Sequence, residues 1–245
     1  MIRLTLLLAM LATPSHAQVP DITAILDGSE GRQAANIIST FGLVAILSLA
    51  PAILVVVTSF TRFIIAFSIL RMGLGLQTTP ANLILISLSL FMTFHVMAPV
   101  LDRAYAEGIE PLSRGEISQS EGIARAVAPF RGFMLEHVRA EDLDLFVNLA
   151  ATRDGAAPTP AAREDVSLRS LLPAFLISEI RRGFEIGFLI LLPFLVIDLV
   201  VATIVMAMGM MMLPPTVVSL PFKVLFFVLI DGWNLLVGSM VRSFL

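Results

Sequence analysis

Two carboxylates, Asp198 and Asp231, stand inside otherwise apolar stretches. A charge at the centre of a bilayer costs at least about 2.5 kcal/mol on insertion scales, so such a residue faces protein or trapped water, as part of a proton path or of a polar contact. Asp198 lies 16 residues before Pro214 and Asp231 lies 17 after it. In a helical hairpin turning at Pro214 the two would share one depth. A relay needs further titratable groups along its path, and the sequence supplies none. A buried contact to a neighbouring helix or subunit, with one or both acids protonated, needs none. Ser219 and Lys223 are four apart, the spacing of a serine–lysine nucleophile pair on one helix face, but no second motif accompanies them. Lys223 is the one lysine of the chain. It fits the cytoplasmic edge of a membrane helix, with its stem buried and its ammonium in water or on lipid phosphate. His95 and His137 each lack His, Asp or Glu neighbours at ligand spacing, so no metal is expected. The absence of cysteine removes thiolate sites and disulfides. No cofactor and no catalytic residue is expected.

A second unusual segment has no acid–base chemistry. Met206–Pro215 reads MAMGMMMLPP and carries five of the chain's 12 methionines. Pro214 and Pro215 cannot donate backbone hydrogen bonds and are expected to end the helix. Methionine is unbranched and polarisable, so it conforms to irregular partners. Copies of such a turn arranged in a ring could close around a passing peptide; alternatively, these residues are core fillers at a hairpin end.

The elements that must position these residues follow from composition. Of 245 residues, 57% are hydrophobic and only 14% charged, well away from the roughly 45–50% and 25% of soluble domains. The net charge of −3 gives no basic field for nucleic acid. Residues 1–17 have a signal-peptide pattern: Arg3, an apolar Leu4–Ala12 too short to span, and Ser15-His16-Ala17 before a cleavage point. Residues 18–36 form a short extracytoplasmic N-terminus. Four apolar stretches have the roughly 20 residues a bilayer core requires: Phe41–Phe60 and Leu83–Val100 form a first hairpin over 37–101, and Ile186–Met208 and Val224–Val241 form a second over 183–245, with its methionine-rich turn at 206–215. Pro51 and Pro193 bend their spans, and Gly73 and Gly75 break the chain between the first two. Residues 102–182 hold 23 of the 35 charges. Glu116–Ala151 has helical spacing, the loop 151–165 is rich in proline and small residues, and Ser167–Glu185 forms an amphipathic helix in which Arg181 and Glu185 can pair. With the mature N-terminus outside, the cytoplasmic connections carry Arg62, Arg71 and Lys223 and no acid, in agreement with the positive-inside rule. The acid-rich 102–182 segment then lies in the periplasm. The expected fold is all-α: an integral membrane protein of four long hydrophobic helices in two hairpins.

Three ordered blocks carry a family likeness. The first is Thr58-Ser59-Phe60-Thr61-Arg62 through Leu70-Arg71, Gly75 and Gln77-Thr78-Thr79-Pro80. The second is Phe91-Met92-Thr93-Phe94 to Met97-Ala98-Pro99-Val100. The third runs from Phe184-Glu185-Ile186-Gly187-Phe188 through Pro193–Asp198, the methionine turn and Ser219–Lys223 to Asp231-Gly232-Trp233. With these blocks the chain resembles the FliP family of flagellar type III export-gate subunits, which is related to the SctR/SpaP subunits of virulence type III secretion systems. The resemblance covers almost everything after residue 17. It implies a helical oligomeric pore, with five copies joined by FliQ-like and FliR-like subunits in the inner membrane at the flagellar basal body. Unfolded flagellar proteins would pass through it, sealed at a methionine gasket of Met208, Met210, Met211 and Met212 beside the turn at Pro214 and Pro215. It also implies that the apolar bands finish largely packed on sister subunits rather than in lipid. Asp198, Asp231, Lys223 and Arg62 would then be buried polar or inter-subunit residues. The rival readings are a virulence-system subunit, a stand-alone proton-coupled transporter using Asp198 and Asp231, and a hydrolase using Ser219 and Lys223.

Overall fold

The computed structural model describes residues 55–153, 165–210 and 213–244, with a few positions between 41 and 53. The signal peptide at 1–17, the segment 18–36, most of the first apolar stretch, most of the loop 151–165, and Met211 and Met212 lie outside the described residues. The chain divides into two compact units, Met1–Ala50 and Pro51–Leu245. The few described positions of the first are helical. The second carries everything that follows.

Among the described residues all regular structure is helical. Helix α1 spans Phe60–Gly73. The sequence pattern gives a cytoplasmic loop from Arg62 to Asn82, but most of that stretch is this helix. Its face of Phe63, Ala66, Phe67 and Leu70 is fully buried, and Arg62 joins that interior because a carboxylate meets it there. Gly75, at φ +76°, closes the helix: its N–H reaches Met72 O and the N–H of Leu76 reaches Arg71 O. This paired bonding around a left-handed residue is a Schellman cap, and glycine takes that backbone without Cβ strain.

Helix α2 spans Asn82–Ala104 and runs on through a π-helical turn, Tyr105–Ile109, to Ser113. Helix α3 (Gln119–His137) is N-capped by Ser118, whose Oγ accepts from Glu121 N at 3.3 Å. At the π turn α3 crosses so closely that a Cβ on Gly108 would lie 2.5 Å from Ala126 N. Helix α4 (Ala140–Arg153) follows after a break at Val138. The expected helical stretch 116–151 is thus two helices. Phe133, Met134 and Val138 are core, whereas Ile123, Leu145 and Leu149 face outward.

Helix α5 spans Leu168–Ala207, 40 residues without a break. The expected amphipathic helix and the third span are one rod, about 60 Å long at 1.5 Å per residue. That is twice the roughly 30 Å of a hydrocarbon core. Helix α1 packs along it, as do α3, α4 and α6. Close approach to α1 occurs at Gly183, against Ile65, and Gly187, against Ile69. Helices α6 (Pro215–Leu229) and α7 (Gly232–Arg242) meet at a 62° bend, so the expected fourth span is a broken helix. Two described helices, α2 with its extension and α5, are long and apolar enough to cross a membrane, and a third crossing exists if α6 and α7 count together.

Two apolar cores flank α5. One joins α1, α5, α6 and α7 through Phe63, Phe67, Phe194, Phe227 and Met240. The other joins α2, α3, α4 and α5 through Met97, Val100, Phe133, Leu171 and Phe175.

Candidate functional site

The α5–α6 connection places the methionines. Helix α5 stops at Ala207, where Gly209, at φ +75°, forms a second Schellman cap: its N–H bonds Met206 O and Met210 N bonds Val205 O at 3.2 Å. Gly209 therefore ends the helix, not the prolines. Pro214 and Pro215 instead begin α6, with Pro215 at its first position, where the missing N–H has no cost. Met208 is 66% exposed at this tip and Met210 is half-buried. Behind the tip a cavity of about 430 Å³ is lined only by apolar side chains, among them Val201, Val205, Met208, Met210, Val218 and Phe222.

Below the cavity sits a polar knot. Lys223 Nζ lies 2.6 Å from Asp198 Oδ2 and donates to Gly73 O at 3.0 Å. Ser219 Oγ donates to Asp198 Oδ1 at 2.5 Å. Lys223 is buried, so its ammonium sits on protein acceptors and not, as expected, in water or on lipid phosphate. It reaches the last carbonyl of α1, the negative end of that helix's dipole. Asp198 and Asp231 do not share a depth. Helix α5 ends at Ala207 and α6 begins at Pro215, so register counts from those ends: Asp198 is nine residues before Ala207, and Lys223 is eight after Pro215. Asp231 occupies the α6–α7 corner at φ +50°, exposed on this chain, with its carboxylate accepting from Asn234 Nδ2 at 3.2 Å. Aspartate tolerates this left-handed backbone better than most side chains. Ser219 and Lys223 both point at Asp198. A serine–lysine nucleophile needs the amine free to take the hydroxyl proton, and here it is held by a carboxylate and a carbonyl.

A second knot ties the opposite end of α1. Arg62, fully buried, donates from Nε to Glu179 Oε2 at 3.0 Å, and its terminal nitrogen pairs with Glu179 Oε1. Its other nitrogen donates to Ser243 Oγ at 2.8 Å, and the guanidinium stacks 3.6 Å over the Phe244 ring. Phe244 in turn contacts Phe63, Phe133 and His137. Close by, Ser178 Oγ donates to Asp142 Oδ2 at 2.8 Å and accepts from Arg139 N at 3.1 Å. Arg139 pairs with Glu185 and Arg181 with Asp142. The expected Arg181–Glu185 pair is thus replaced by two bonds to α4 and the Val138 break, because that segment packs on this face of α5. Glu179, Asp142 and the 243–244 tail are members that sequence reasoning missed. The one signal was Glu179 itself, an acid set between Ile177 and Ile180. Among the described residues no group of three His, Cys, Asp or Glu residues could hold a metal.

Outside these knots the long helices expose large apolar side chains: Phe91 and Phe94 on α2, Leu189, Leu195 and Leu199 on α5, and Leu225 and Val228 on α6. Soluble monomers do not carry apolar surface on this scale, which marks contact with lipid or other subunits.

Fold and site together define a membrane-associated helical protein whose polar groups tie helices to one another. The FliP family profile matches residues 43–240. The chain is 58% identical over 98% of both chains to "Flagellar biosynthetic protein FliP" of Rhizobium meliloti (strain 1021). It is 57% identical over the full length of both to the protein of that name in Agrobacterium fabrum, and 43% identical to that of Bacillus subtilis, over 90% of this chain and 97% of the relative. The chain belongs to the FliP family and is an export-gate component of flagellar biosynthesis.

Proposed function

We propose that this chain is the pore-forming subunit of the flagellar export gate. Five copies join FliQ-like and FliR-like subunits in the inner membrane at the basal body, with residues 102–182 on the periplasmic side. Unfolded flagellar proteins pass through the assembly. The narrowest point is a ring of Met208, Met210, Met211 and Met212 from each copy. The work is mechanical: a seal that opens around a chain and closes behind it, with no bond made or broken by the protein.

The observation that carries this reading is the exposed Met208 at the tip of the α5–α6 hairpin. Met208 lines the apolar cavity behind the tip yet stays two-thirds exposed, a large flexible side chain projecting from a capped turn, and methionine is suited to changing contacts. The length of α5 adds support. At about 60 Å the rod is longer than one bilayer core, so part of it stands outside the hydrocarbon, where sister subunits can cover side chains it exposes, such as Phe184 and Phe188. The relatives' flagellar names favour a flagellar over a virulence system. The test is purification in mild detergent followed by intact-complex mass measurement. FliQ-like and FliR-like chains should be retained with five copies of this one; a stable isolated chain with substrate-coupled proton uptake would instead support the transporter.

A further inference from the structure

The polar knot at Asp198 lies between the body of the molecule and the methionine turn. Counting 1.5 Å per residue, Asp198 is about 14 Å below the end of α5, and Ser219 is about 6 Å beyond the start of α6. Towards the body, α5 is packed on α1 through Phe194, which is fully buried against α1 and α6. Lys223 fastens α6 to both neighbours at once, through Asp198 on α5 and Gly73 O on α1. Beyond the knot an open apolar cavity of about 430 Å³ runs along the two helices, and Ile204, Met208 and Phe222 on its walls are exposed. Side chains along such an open cleft lack the packed contacts on one side that a close-packed interior would give them.

We propose that Asp198, Ser219 and Lys223 are positioning residues for the gate: they form a fixed fulcrum that pins the base of the α5–α6 hairpin to α1, and the cavity makes the hairpin beyond it a compliant tip. The proposal rests on the methionine turn being the seal. A passing chain displaces the tip, while the ionic fastening keeps the displacement from reaching the packed body and returns the methionines to one closed position. Charge suits this task because the buried lysine has two fixed acceptors, and moving the base would strip both from it.

Hydrogen exchange on the intact complex tests the tip directly. Amides of residues 202–207 and 217–220 should exchange at least roughly tenfold faster than those of 190–198. Equal protection on both sides of Asp198 overturns the fulcrum, even if no variant folds. Lys223→Met, which keeps length and loses charge, should extend fast exchange below Asp198 and raise the closed-gate ion leak of assembled complexes. Val201→Phe, which fills the cavity, should slow tip exchange and slow export while leaving the closed gate tight. If Met210→Ala leaks but assembled Lys223→Met does not, the fulcrum is wrong and the seal stands. If Met210→Ala does not leak, the seal reading fails first.

Discussion

Arg62 and Glu179, 117 residues apart in the chain, face each other with no solvent exposure on either side chain. Their pairing fixes the register of α1 against α5, since each charge is tolerable in the interior only opposite the other. Removing one partner of such a pair leaves an uncompensated buried charge, at a cost of about 3–5 kcal/mol, whereas replacing both by apolar groups of similar volume is often neutral. Glu179→Leu should therefore lower the thermal stability of the detergent-solubilised complex sharply, and Arg62→Met with Glu179→Leu should recover most of it. Equal losses in the single and double variants would show that the pair does not act as a unit.

The same arginine holds the chain's end. Phe244 lies under the Arg62 guanidinium and against Phe63, Phe133 and His137. It also offers its carbonyl oxygen to His137 Nε2 at 3.4 Å. Phe244→Ala should destabilise by about 3 kcal/mol, the lower end for a phenylalanine truncation because the ring is only partly buried. Limited proteolysis should then release the segment after Gly238 faster than in the parent, and unchanged cleavage would count against the anchoring role.

Two glycines separate close approach from mere helix weakness. Gly108→Ala places a methyl against the backbone of Ala126, where a Cβ would come within 2.5 Å of N. It should force α2 and α3 apart and lower stability by at least about 1–3 kcal/mol, the usual cost of overpacking. Gly132, on α3, has nothing within 4 Å of its Cβ position. Gly132→Ala should raise stability by roughly 0.8–1 kcal/mol through helix propensity alone. Thermal unfolding of the two variants side by side should give shifts of opposite sign.

Much of the fold is legible in the sequence because apolar length and charge segregation are coarse signals. The all-helical class, the apolar bands and the charged middle segment follow from them. Register does not. Asp198 and Asp231 are placed together when a turn is counted from Pro214, but Gly209 had already closed the helix, so Lys223 takes the position opposite Asp198. Partners across long separations are hidden for a related reason. Arg62 reads as a cytoplasmic loop residue until Glu179 is brought to it, and Arg181 reads as the mate of Glu185 until α4 supplies Asp142 and Arg139 takes Glu185. Asp231 looks like a mid-span charge because a 62° bend leaves no mark in hydropathy. The methionine turn was legible as unusual composition, and the exposure of Met208 just past the end of α5 adds what composition lacks.

The seal is tested most directly by ion conductance of the purified, assembled gate in planar bilayers without substrate. With Met208, Met210, Met211 and Met212 all replaced by alanine, assembly should persist and the closed-state conductance should rise at least roughly tenfold, since truncating four flexible side chains per copy opens the constriction. An assembled quadruple variant that stays as tight as the parent would contradict the account.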